Sequence, residues 1–88
     1  MKIKKGFVLR KVGEDHVVVP IGANSKIFHG MVKLNETGAF LWRFFSSEHT
    51  QEEGVDALLK EYEGVEREIV VEDVEDFVRL VVANSFGE

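Results

Sequence analysis

The stretch that decides the fold is GMVKLNETGAFLWRFF, residues 30–45. It opens on Met31, Val32, Lys33 and Leu34, a short alternating run of the kind that forms a half-buried strand. Asn35 follows, and its side-chain oxygen can accept from the amides that the first turn of a helix leaves free. After it, Leu41, Phe44 and Phe45 share one helical face, with Gly38 and Trp42 beside them. A strand therefore passes into a helix across one capping residue. Placing a Trp and three Phe in so short a segment marks it as core, as a wall beside a bound partner, or as both.

Upstream, FVLRKV (Phe7–Val12) and HVVVPI (His16–Ile21) flank the turn GED. Gly13 and Asp15 suit the backbone angles of a hairpin there. Pro20 lacks an amide hydrogen and belongs at a strand end or on an unpaired side. ANSKIFHG reads as a loop carrying Ile27 and Phe28. With Met31–Leu34 as the third strand, an antiparallel meander is the simplest connection.

Downstream, SSEH ends the first helix. Thr50 and Glu53 have the spacing of a capping box, and Val55, Leu58, Leu59 and Tyr62 recur at helical spacing after it. Gly64 supplies a left-handed stop. A third helix is expected from Val70 or Val71, with Val74, Phe77, Val78 and Val81 as its main face. LVVA (Leu80–Ala83) adds more apolar surface than one face needs, and Leu80 lies on the flank shared with Asp73 and Asp76. Two readings stay open for this surplus: a helix end buried under Trp42 or the N-terminal hairpin, or the apolar wall of a groove rimmed by acids.

The order is thus β-β-β-α-α-α, an α+β fold. Three small helices cover one face of such a sheet, and one strand edge stays open unless something covers it. An open edge is either an aggregation hazard or a peptide-binding site.

The 88 residues suffice for a single domain, 1–88. Without cysteine there are no disulfides and no thiolate metal sites. The basic start is not followed by an unbroken apolar run, so no signal peptide is read, and no stretch reaches bilayer length. The default location is cytoplasmic. Net charge is −5, unevenly spread: residues 1–45 hold eight Lys/Arg against three acids, and residues 46–88 hold three against thirteen. The acidic half repels phosphate, which argues against a nucleic-acid partner.

No constellation for chemistry emerges. His16, His29 and His49 lack partners at metal-ligand spacing and read as residues of surface turns. Ser25, Ser46, Ser47 and Ser85 lie in loops, and VPIGANSK lacks the phosphate-loop frame. The pairs Glu52/Glu53, Glu72/Asp73 and Glu75/Asp76 suit helix N-termini and solvated faces. No enzymatic activity, metal or cofactor is expected. Two binding readings remain. A winged helix-turn-helix binding DNA needs a basic recognition helix, whereas this third helix is acidic with only Arg79 inside it. A peptide module using strand addition fits the open edge and the apolar flank at Leu80.

At this point the segment KLNETGAFLWRFF (Lys33–Phe45) resembles the signature of the PqqD family, named for coenzyme PQQ (pyrroloquinoline quinone) synthesis protein D. Leu34, Asn35, Thr37, Gly38, Ala39, Leu41, Trp42, Phe44 and Phe45 match its pattern. Val55, Leu58, Leu59 and Tyr62 match its second helix, and DVEDFVRLV (Asp73–Val81) resembles its third. The likeness spans roughly residues 6–86. It implies a winged-helix-like domain that recognises the leader segment of a ribosomally made precursor peptide (a RiPP recognition element). The leader adds as an antiparallel strand between strand three and helix three. The domain then presents it to a modifying enzyme, commonly of the radical SAM class, with no cofactor of its own. By position, the resemblance assigns peptide contact to Met31, Val32, Lys33 and Leu34, and to Asp73, Asp76, Leu80 and Ala83, with Phe77 and Val78 as floor or core. The acids imply a leader with basic residues. The connection GANSKIFHGM is longer than in quinone-pathway members, and NSFGE replaces a usual Gly-Leu-Leu, with Phe86 in the apolar place. A homodimer through the exposed edge is also open.

Overall fold

The computed structural model describes residues 1–23 and 31–88. Strands β1 (Phe7–Val12), β2 (Asp15–Pro20) and β3 (Val32–Leu34) form one antiparallel sheet in the order β1-β2-β3. Helices α1 (Glu36–Phe44), α2 (Gln51–Glu61) and α3 (Arg67–Ala83) follow. The architecture is the expected α+β arrangement of three strands and three helices. The loop residues Ser25, Ile27, Phe28 and His29 lie outside the described residues.

The hairpin is tighter than the sequence suggested. Val12 pairs directly with Asp15, so only Gly13 and Glu14 turn. Gly13 takes φ +63° while Glu14 keeps a negative φ, the pattern of a type II′ turn with glycine in its first central position. Asp15 is thus the first residue of β2 rather than a turn residue. His16 is a strand residue, as HVVVPI predicts, opposite Lys11 and Leu34, which corrects its reading as a residue of a surface turn. Its Nδ1 is buried, with no hydrogen-bond partner among the described residues.

Side chains alternate across the sheet. Phe7, Leu9, Val18, Val32 and Leu34 face the helices, and Val18 and Leu34 belong to the buried cluster. From the helices come Leu41 and Trp42 of α1, Val55 and Leu58 of α2, and Val70, Val74, Phe77 and Val81 of α3, joined by Phe45 just past α1. Phe45 stacks on Phe77 with ring centres 6.0 Å apart.

Both expected caps form. Asn35 Oδ1 accepts from the Gly38 amide at 2.7 Å, and Thr50 and Glu53 exchange reciprocal bonds at 3.1 and 2.7 Å. The start of α3 differs from expectation: it begins at Arg67, a turn before Val70. Gly64 does take positive φ, +79°. Glu66 then opens the helix with no side-chain cap, so the sequence carries no residue that marks the boundary.

The two ends of the chain meet in a way that no periodicity announced. Ile3 forms an antiparallel bridge with Gly87. The Ile3 amide donates to the Phe45 carbonyl, and the Lys4 amide to that of Phe86, each at 2.8 Å. Ile3 and Phe86 are both buried. Phe86 packs edge-on against Trp42 at 5.4 Å and against Phe7 at 4.7 Å. It is the apolar plug that closes the end of the core.

Candidate functional site

The outer edge of β3 can be read group by group. The Ile21 amide donates to the Gly6 carbonyl at 2.9 Å, one step beyond the Phe7–Pro20 pair. Bonded and non-bonded pairs alternate along an antiparallel ladder. Counting from Gly6–Ile21, the bonded pairs of the hairpin are Val8–Val19, Arg10–Val17 and Val12–Asp15. His16 and Val18 therefore turn their backbone groups the other way, to Leu34 and Val32 of β3. Lys33 sits between those two and turns its own N–H and C=O outward. Among the described residues, no strand pairs with that edge. Pro20 also faces the β3 side, beyond the last pair among the described residues.

A cleft of about 160 Å3 runs between this edge and α3. One wall is Lys33, Leu34 and the capped start of α1: Asn35, Thr37 and Gly38. The other is Asp73, Asp76, Phe77 and Leu80 of α3. The sequence brings these together for local reasons. Asn35 ends β3 and starts α1 in one residue, so the strand edge and the helix start share a wall. Gly38 keeps that wall tight, since a Cβ there would lie 3.1 Å from Asn35 Oδ1 and 3.2 Å from Leu34 Cβ. On α3, Asp73, Phe77 and Leu80 recur at spacings of four and three, which puts them on one flank.

Of the eight residues singled out from sequence, Lys33, Leu34, Asp73, Asp76 and Leu80 line this cleft. Val32 is in β3 but faces the core, where it is half-buried. Met31 precedes the strand and is 68% exposed. Ala83 ends α3, exposed and outside the cleft lining. Asn35, Thr37 and Gly38 line the cleft as well, although the sequence marks Asn35 as a cap and all three as part of the family pattern, and places none of them in the site. The signal for them was the cap itself, because a residue that ends a strand and opens a helix must border both. Phe77 is both floor and core: it lines the cleft and is 4% exposed.

The charges divide unequally. The Asp76 carboxylate pairs with Arg79 of the next turn, both side chains being well exposed. Lys33 directs its ammonium to Asp15, 3.4 Å away, on the sheet face opposite the helices, which accords with the Val17–Lys33 pairing. Asp73 is half-buried and has no cationic partner within ion-pair distance among the described residues. The cleft therefore offers apolar surface from Leu34, Phe77 and Leu80, an unpaired main-chain edge and one uncompensated carboxylate.

A family model described as coenzyme PQQ synthesis protein D (PqqD) matches residues 15–86. The chain belongs to the PqqD family. No curated relative matches the sequence significantly. Among solved structures, this PqqD-family chain is similar to TbiB1 in complex with the TbiA(beta) leader peptide. The two are 26% identical with a TM-score of 0.72, over 98% of this chain and 93% of that one. Among the described residues of the PqqD-family chain, no group of three or more His, Cys, Asp or Glu could hold a metal ion. No helix there is long and apolar enough to cross a membrane.

Proposed function

We propose that this protein binds the leader segment of a ribosomally synthesised precursor peptide by β-strand addition and presents it to a modifying enzyme. The observation that carries the reading is the outward N–H and C=O of Lys33 beside the Leu34–Phe77–Leu80 cleft. Strand addition needs both parts: main-chain groups for affinity, and a pocket taking alternate side chains for selectivity. Membership of the PqqD family and the likeness to a leader-peptide complex support it. The peptide-contact residues are proposed as Lys33, Leu34, Asp73, Asp76 and Leu80, with Met31, Val32 and Ala83 extending the strip at its ends. The domain acts without catalysis of its own, in the cytoplasm, and its enzyme partner is of the radical SAM class.

A winged-helix DNA-binding role fits poorly. Arg67–Ala83 carries five acids against two arginines, the wrong sign for a helix placed in a groove lined with phosphates. The test is an NMR titration of isotope-labelled protein with two probes: the synthetic leader of the short peptide encoded nearest its gene, and a random DNA duplex. Amide shifts confined to β3 and α3 with the peptide, and none with DNA, are expected. DNA binding with a steep salt dependence, and no response to the peptide, would reverse the assignment.

A further inference from the structure

We infer that the leader is read at two positions spaced i and i+2, one aliphatic and one cationic, and that Asp73, not Asp76, selects the cation. This rests on the leader-binding reading and adds the side-chain pattern the leader must carry.

The register follows from the edge. Only Lys33 turns both backbone groups outward from β3, so one leader residue stands directly opposite it, exchanging both bonds with it in an antiparallel pairing and flanked by the two bonded residues in a parallel one. Directly paired residues share a sheet face. The side chain of Lys33 lies on the face away from the helices, with Asp15. The leader residue paired with Lys33 therefore also points away from α3. Its two neighbours point the other way, into the cleft. They are separated by one residue whether the leader runs parallel or antiparallel, so the readable unit has i, i+2 spacing.

What those two positions meet is set by α3. Asp73 and Phe77 are four residues apart, about 6 Å along the helix at 1.5 Å per residue. Alternate residues of a strand stand about 6.7 Å apart. One leader side chain thus reaches the Leu34–Phe77–Leu80 surface while the other lies over Asp73; a spacing of i, i+4, twice that length, overshoots. Asp76 lines the same wall but is neutralised by Arg79, and an exposed pair of this kind has little field left to offer. Asp73 is half-buried and has no such partner. A carboxylate in that position favours a Lys or Arg, through a charge-assisted hydrogen bond of the stronger class.

The test is a displayed library of random twelve-residue peptides selected against the wild-type protein, Asp73→Asn, Asp76→Asn and Lys33→Pro. Wild-type selection should enrich an aliphatic residue two positions from Lys or Arg; Asp76→Asn removes a carboxylate of the cleft and lowers affinity at most, without abolishing the cationic preference. Asp73→Asn should keep the aliphatic preference and lose the cationic one. For the best selected peptide, Asp73→Asn should weaken binding about tenfold. It should leave the affinity of the same peptide with Gln in place of its cation unchanged. Selected peptides that lose binding with Lys33→Pro but show no Asp73-dependent cation would overturn this inference while sparing strand addition. Peptides that bind wild type and Lys33→Pro equally would overturn the strand-addition reading itself.

Discussion

The ring of Phe45 closes over Gly54. A Cβ built on Gly54 would meet Phe45 Cζ at 2.8 Å and Cε2 at 3.2 Å, so the first turn of α2 can pass the end of α1 only because residue 54 has no side chain. In an ordinary helix interior, Gly→Ala stabilises by about 0.5–1 kcal/mol. Here the sign should invert. Phe45 is fully buried and stacked on Phe77, so its ring has nowhere to move. Gly54→Ala should cost about 1–3 kcal/mol, the usual range for overpacking. Urea unfolding measures it, and Phe45→Leu in the same chain should recover part of the loss through coupling of the pair. A stabilised Gly54→Ala variant would show that the two helices are not in contact as described.

The capping box of α2 gives a second, pH-dependent expectation. Thr50→Ala removes the acceptor for the Glu53 amide and should cost about 1 kcal/mol, or about 4–8 °C in melting temperature for a domain of this size. The Glu53 carboxyl is held below the ordinary carboxylate range, first by the Thr50 backbone N–H that donates to it. A depressed carboxylate contributes stability above its unfolded value, about 4.3, and loses it as pH falls through the folded value. The melting-temperature gap between wild type and Glu53→Ala should therefore be present at neutral pH and shrink below about pH 4. Thermal melts followed by circular dichroism across that range decide it, and a gap that widens in acid would contradict the assigned bond.

Phe86 carries a third. It is fully buried, between Trp42 and Phe7, although it lies beyond the last helix. Phe86→Ala should cost about 3–5 kcal/mol, the range for truncating a core aromatic, and Phe86→Leu much less. Ile3 should loosen with it, since the Lys4 amide donates to the Phe86 carbonyl and Ile3 bridges to Gly87. Hydrogen exchange of the Lys4 amide reports that coupling directly. Unchanged stability in Phe86→Ala would mean the tail is not part of the core.

Most of the frame was legible because local signals agreed with the long-range packing. The apolar runs flanking Gly13, the Asn35 cap and the Thr50–Glu53 box each marked an element boundary, and Val74, Phe77 and Val81 marked the buried face of α3. The failures came where that agreement is absent. Glu66 offers no cap, so periodicity alone puts the start of α3 a turn late. MKIKK holds one apolar residue after its Met, too few to show a period, so the bridge from Ile3 to Gly87 was invisible. Gly54 bears no mark in the sequence, because its need to lack a side chain comes from Phe45, a contact that helical periodicity does not specify. The cleft was legible by its strand and helix flank, Leu34 and Leu80. However, side-chain periodicity cannot say which main-chain groups face outward. That needed the Gly6–Ile21 bond, which fixes the phase of the whole ladder.

Lys33 provides the sharpest test of that phase. If its N–H points to the open edge, replacing it with proline removes no bond to β2, and proline is tolerated on edge strands in that orientation. The preceding residue, Val32, is already extended, as a residue before proline prefers. Lys33→Pro should therefore keep a dispersed amide spectrum and an intact β1–β2–β3 ladder. It should nevertheless lose leader binding, because the one outward donor is gone and the ring stands where the added strand must lie. Lys33→Ala keeps the amide and should bind within a few-fold of wild type, since the ammonium serves the opposite face with Asp15. Calorimetric titration of both variants with the same leader peptide separates the outcomes. Equal affinities for Lys33→Pro and Lys33→Ala would mean that the backbone of β3 is not the surface that holds the peptide. A collapsed spectrum in Lys33→Pro would mean that the ladder phase is the opposite one, with Lys33 bonded inward to β2.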